Sequence, residues 1–172
     1  ADALIEAVEV IRLLWSDRRS VRFEGEHYRL AGVKPGPAPV HDMGIWLGVY
    51  GPRLLRALGR IADGWVPSSG YADPSKLPDM QARIDAGAAE AGRDPASIRR
   101  VYNVMGTITD GASTGFLQGP PEQWVEQVVE LVLEKGMDTF VFAPGRDPVV
   151  QVERFAAEVA PAVRAEVLRA RG

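Results

Sequence analysis

The chain has 172 residues, 46% of them hydrophobic and 25% charged, which is enough for one sizeable core and typical of a globular protein. Its net charge of -3, with basic residues scattered along the chain, excludes the clustered Lys and Arg footprint of a nucleic-acid binder. There is no cysteine, and the two histidines are His27 and His41, so a disulfide framework, a thiolate metal site and a histidine-rich metal site are all excluded.

Residues 3–15 place Leu4, Val8, Ile11 and Trp15 on one stripe and predict an amphipathic helix. It begins almost at Ala1 with no initiator Met, which leads us to expect a further upstream part of the protein, with removal of a terminal Met as the alternative. Alternating segments at 21–23 and 27–30 make a small hairpin around Glu24-Gly25-Glu26, and Lys34 to Pro39 forbid helix. The apolar run Ile45, Trp46, Leu47 and Val49 predicts a parallel strand buried on both faces.

After that strand Gly48 and Gly51 bracket a turn, Pro52 suits a first helical position, and Leu54, Leu55, Leu58, Ile61 and Ala62 recur at helical spacing. The backbone N–H groups of residues 50–54 would then face the space above the strand's C-terminal end, a geometry that suits a phosphate. Ordinary turn chemistry accounts for the same glycines. Neither a dinucleotide fingerprint nor a nucleotide-triphosphate loop is present, since GVYGPR lacks a third glycine and no Lys-Ser or Lys-Thr follows.

GWVPSS reads as a second strand ending in small polar residues. Asp73-Pro74 opens a helix with an apolar stripe through Leu77, Met80, Ile84, Ala88 and Ala91, which Gly92 stops. Residues 101–109 form a third strand, and Pro120-Pro121 opens a helix carrying Trp124, Val128, Leu131 and Val132. Residues 139–144 form the fourth strand, followed by a helix from Asp147-Pro148 with Val152, Phe155 and Val159 that Pro161 interrupts or restarts. Alternating strands and helices imply a parallel α/β sheet. Four such units are half of a (β/α)₈ barrel, and a small open sheet covered on both faces is the alternative. No apolar run approaches the roughly 20 residues of a membrane span and no signal peptide is visible, so a cytoplasmic protein is expected.

The sequence resembles the luciferase-like monooxygenases and their F420-dependent oxidoreductase relatives. The likeness rests on EVIRLLW followed by VRFEGEHYRL, on KPGPAPV before IWLGVYGPRLLRALGRIADGW, on GPPEQWVEQV, and on the closing GMDTFVFAPGRDPVVQVERFAAEVAPAVR. It implies that the chain is one partial domain, 1–172, the C-terminal half of a (β/α)₈ TIM barrel: strands five to eight with the 16–42 insertion. It also implies that Gly48, Val49, Tyr50, Gly51, Pro52 and Arg53 hold the phosphate of coenzyme F420 or, alternatively, FMN. Many relatives have a second glycine directly after the first, where this chain has Val49-Tyr50. The family's acid and base residues come from the first strands, so no catalytic residue is expected here.

On this reading the chain supplies part of the substrate pocket for hydride transfer in an F420-dependent enzyme. The alternatives are an FMN-dependent two-component monooxygenase and a half-barrel that only assembles or binds. Its unpaired edge strands call for a partner: the missing N-terminal half-barrel or a second copy. Ser68, Ser69 and Tyr71, at the tip of the second strand, and Arg146, after the fourth, are candidate substrate contacts. Arg146 has a competing reading as a solvated arginine bonded to Asp147. Asp63 reads as a turn or cap residue on the opposite end, and Trp65 as core. Asn103 and Met105 fall on a strand expected to be buried, where Asn103 must find a hydrogen-bond partner. His27 reads as surface or interface, and His41 has no assigned role.

Overall fold

In a computed structural model describing residues 1–172, helix α1 (Asp2–Leu14) is amphipathic as expected, but its buried positions include Val8 and Val10 while Ile11 is 37% exposed. The helix is covered from two sides, by α2 (Pro52–Ile61) and by a hairpin of β1 (Val21–Glu24) and β2 (Arg29–Val33). The second hairpin strand starts later than residue 27 for a specific reason. The Glu6 carboxylate of α1 accepts the backbone N–H groups of Glu26, His27 and Tyr28, so those amides cannot join a ladder.

Four parallel strands follow: β3 (Trp46–Leu47), β4 (Gly64–Trp65), β5 (Arg99–Ile108) and, on the far side of β5, a strand at Thr139–Pro144. The helices connecting them are α2, α3 (Leu77–Glu90) and α4 (Pro121–Leu133). A two-residue strand, β6 (Gln118–Gly119), pairs with the end of β5, so the Thr139–Pro144 strand is β7. Amides of β5 alternate between its two neighbours. Those of Arg99, Asn103 and Thr107 donate to the carbonyls of Asp63, Pro67 and Leu117, which places β6 above β4 on the same side. Those of Arg100 and Ile108 turn the other way, to Asp138 and to the Gln151 side chain. The third strand thus starts two residues earlier than 101, and the loop before Pro120 contains a strand the sequence pattern did not reveal.

Asp73 opens a 3-10 turn, Pro74–Lys76, ahead of α3, and its carboxylate accepts the Ser75 N–H as a cap. The closing helix is α5 (Pro148–Arg154), a π turn at Phe155–Val159, and α6 (Ala160–Arg171). Pro161 has no N–H to continue the regular ladder, which accounts for the interruption there. Val152 is 50% exposed, contrary to the stripe expected from spacing, and Gln151 is buried in its place.

One side of the sheet carries the core: Trp65, Tyr102, Val104 and Ile108 pack against Leu55, Leu58, Ile84, Trp124, Val128 and Leu131 of the helices. The other side is open. Trp46, Met105 and Val141 stand 47%, 51% and 49% exposed on it. The expectation that these strands are buried on both faces, Met105 included, is therefore corrected. The chain is α/β, half a (β/α)₈ barrel with helices outside, and its open side is the face that a closed barrel turns inward.

Candidate cofactor-phosphate site

The residues Gly48 to Arg53 leave β3 at its C-terminal end and enter α2, with Gly51 as N-cap and Pro52 in the first turn. Two hydrogen bonds from the next unit fix this loop. The Trp65 Nε1–H, fully buried, donates to the Val49 carbonyl at 2.9 Å, and the Ser68 N–H donates to the Tyr50 hydroxyl at 3.1 Å. A Cβ on Gly48 would meet the Val66 carbonyl at 3.3 Å, whereas one on Gly51 would meet nothing within 4 Å. Trp65 is core, as expected, and it also positions the turn.

The amides of Tyr50, Gly51, Arg53 and Leu54 donate to no carbonyl or side chain of the protein; the first amide of the turn region to do so is Leu55, at 2.9 Å to the Gly51 carbonyl. They are the free donors that any helix start leaves, held here on a short and doubly anchored loop. The helix macrodipole adds partial positive charge at the same point. The Arg53 guanidinium is turned toward α1, where it forms an ion pair with Asp2; the two side chains are 69% and 49% exposed.

The neighbouring loop tip is tied to the same place. Asn103 Nδ2 donates to Ser68 Oγ at 3.1 Å, the Met105 N–H donates to Ser69 Oγ at 3.0 Å, and the Ser69 N–H donates to the Asn103 carbonyl. Asn103 thus has its partner, and each serine keeps its own hydroxyl hydrogen. Tyr71 is 79% exposed with its ring 5.8 Å from that of Tyr50. Beneath them the buried Tyr102 hydroxyl donates to the Ala72 carbonyl, and burial raises its pKa above the ordinary tyrosine range. Ser68, Ser69 and Tyr71 therefore share one wall with the Gly48–Arg53 turn. Arg146 lies in the loop after β7, exposed, and forms neither an ion pair nor a side-chain hydrogen bond; the contact with Asp147 is not made.

Asp63 sits at the opposite end of the strands and acts as a junction. Its carboxylate accepts the Ile45 N–H at 2.8 Å and pairs with Arg12 at 2.7 Å and Arg93 at 3.6 Å. His27 is exposed in the hairpin turn, and exposed His41 has a ring nitrogen 3.2 Å from the Asp42 carbonyl. Sequence reasoning missed Gln151, whose side-chain amide accepts the Ile108 N–H at 2.7 Å and donates to the Ile108 carbonyl at 3.0 Å. That amide continues the β5 pairing where β7 has ended. Its signal was a polar residue between the apolar Val150 and Val152.

The family described as luciferase-like monooxygenases matches residues 1–114. An F420-dependent glucose-6-phosphate dehydrogenase of Nocardia farcinica is 28% identical over 205 aligned residues, covering 94% of this chain and 60% of that protein. An F420-dependent hydroxymycolic acid dehydrogenase of Mycobacterium tuberculosis is 26% identical over 199, covering 95% of this chain and 54% of its own length. Among solved structures, an F420-dependent secondary alcohol dehydrogenase in complex with an F420-acetone adduct superposes with a TM-score of 0.80 at 19% identity, over 92% of this chain and 60% of the other. The chain thus spans between half and two thirds of the length of these proteins.

Proposed function

Since the chain belongs to the luciferase-like monooxygenase family, we propose that it forms the cofactor-phosphate wall of an oxidoreductase that uses coenzyme F420. The observation that carries this reading is the set of four unpartnered amides, at Tyr50, Gly51, Arg53 and Leu54, on a loop anchored by Trp65 and Ser68. An anionic tail is the ligand that such a donor set suits. Gly51 supports it further, because no protein atom lies where its Cβ would be and a bulkier residue would intrude only on what approaches from outside.

Coenzyme F420, when bound, supplies the hydride chemistry. The protein's part is to hold and orient. The backbone of Gly48 to Arg53 grips the phosphate, and Arg53 can exchange Asp2 for it, because a pair this exposed is worth at most about 1 kcal/mol. Ser68 and Ser69 present hydroxyl hydrogens to substrate, Tyr71 offers an apolar side, and Arg146 attracts an anionic group. The acid and base belong to strands outside this chain.

Titrating the purified chain with F420 and, separately, with FMN tests the proposal. It predicts a saturable fluorescence change with F420. FMN binding in preference to F420 would favour a flavin enzyme of the same family, and no response to either would remove the cofactor reading.

A further inference from the structure

Strand register sorts the open face of the sheet into levels, because paired side chains point the same way and those along one strand alternate. Trp46 pairs with Gly64, and Gly64 with Arg99, at the end where the strands begin. There the indole lies across Gly64, whose Cβ would fall 2.5 Å from it. Two residues further along β5, Val101 pairs with Thr139 on the same face and is fully buried, so this chain alone fills the face at that level. Above it the packing stops. The next level holds Ser68, Asn103 and Val141, and the one after it Met105 and Ala143.

These upper levels belong to the candidate site. The Met105 Sδ lies 3.6 Å from where a Gly70 Cβ would be, under the same tip that carries Ser69 and Tyr71, at the strand ends where barrels build their sites. Val141 and Met105 are half-exposed, and Ala143 is exposed and small. One polar pair interrupts this apolar wall. Asn103 Nδ2 donates to Ser68 Oγ, which leaves the serine hydroxyl hydrogen and the Asn103 Oδ1 without partners in the protein. A donor beside an acceptor suits one hydroxyl, and the donor alone suits one carbonyl. No charged side chain stands at these levels. Arg99, on the same face, is at the opposite end, bonded to Thr139 and paired with Asp138, and Arg146 lies beyond Gly145 on the rim. A phosphate or carboxylate laid against this wall would lose its hydration with no cation to meet it.

We propose that the wall formed by Ser68, Asn103, Met105, Val141 and Ala143 takes an apolar alcohol or ketone, its uncharged hydrocarbon along Val141, Met105 and Ala143 and its oxygen held by Ser68 and Asn103. The proposal rests on the oxidoreductase reading above and names the substrate class of that same site. Met105 and Ala143 are its specificity-determining residues: the flexible thioether adapts to hydrocarbon of different shapes, and the small alanine leaves the space beside it open. Arg146 serves only a group that stays at the rim.

The test uses the full chain labelled with methyl-¹³C methionine, which gives four resonances. Met137 is buried, Met80 is partly buried, and Met43 is exposed in the segment before β3, so these three are internal controls. The chain is titrated without cofactor, with 2-octanone and separately with glucose 6-phosphate. The ketone should move the Met105 methyl saturably and leave the other three in place, and the sugar phosphate should move none. Ala143→Glu, at an exposed position, should weaken the ketone response roughly tenfold or more while leaving the unfolding transition unchanged. A Met105 methyl that responds to glucose 6-phosphate as readily as to the ketone, or to neither, would overturn the proposal. Met43 moving in parallel with Met105, or a response indifferent to Ala143→Glu, would do the same. Because the readout needs no cofactor, a chain that takes the ketone and ignores F420 keeps its apolar site and loses the functional proposal, and one that binds F420 but not the ketone does the reverse.

Discussion

The Trp65 indole fills core volume and donates its N–H to the Val49 carbonyl, so one side chain links the packing of β4 to the shape of the turn above β3. Phenylalanine at this position would keep most of the apolar contact and lose the hydrogen bond. Trp65→Phe should therefore cost about 1–2 kcal/mol in chemical denaturation, and weaken F420 binding in the same protein without unfolding it. Unchanged cofactor affinity in a destabilised variant would show that the turn holds its shape without Trp65. Part of this arrangement was legible in the sequence: strand, paired glycines, proline and helical stripe all lie within residues 45–62. The anchors were not. Which indole or hydroxyl reaches which carbonyl depends on the lateral packing of two units, and Trp65 reads as core from its neighbours alone. The same limit hid Gln151, a polar residue that looks solvent-facing until the end of β5 is seen to need a hydrogen-bonding partner.

Two contacts between elements can be tested separately. Helices α2 and α3 meet at reciprocal glycines: a Cβ on Gly59 would lie 2.0 Å from the Ile84 carbonyl oxygen, and one on Gly87 would lie 2.0 Å from that of Arg56. Gly87→Ala gains about 1 kcal/mol of helix propensity but must push two backbones apart, at a cost of roughly 1–3 kcal/mol or more. Net destabilisation is expected in thermal unfolding, together with weaker F420 binding as the α2 start moves. A more stable Gly87→Ala protein would contradict the close approach. Glycine inside two otherwise regular helical patterns was the available signal, since it needs a packing reason. The second contact is the Glu6 carboxylate of α1 on the hairpin turn. Its pKa is lowered below 4.5, chiefly by the His27 N–H and further by those of Glu26 and Tyr28. A depressed carboxylate contributes stability that is present above the unfolded pKa and lost as pH falls through the folded one. Denaturation midpoints measured from about pH 6 down to pH 3 should fall more steeply for the parent protein than for Glu6→Gln. Parallel curves would show that the hairpin does not depend on this charge.

At the scale of the whole molecule, the alternation of strands and helices was readable because each helix declares its buried stripe and each strand its apolar run. What one chain could not declare is which sheet face meets the helices and which meets something else. An apolar residue such as Trp46, Met105 or Val141 looks the same in either role. The functional account follows from the same geometry: the loops at the C-terminal ends of β3 and β4 form a joined wall, and the only part of it built purely from free backbone donors is the α2 start. Residue-resolved ¹H–¹⁵N spectra recorded during F420 titration test that account most directly. It predicts that the amides of Tyr50, Gly51, Arg53 and Leu54 shift together, and to the same saturation point as the cofactor fluorescence; binding that leaves those four amides unmoved would contradict it.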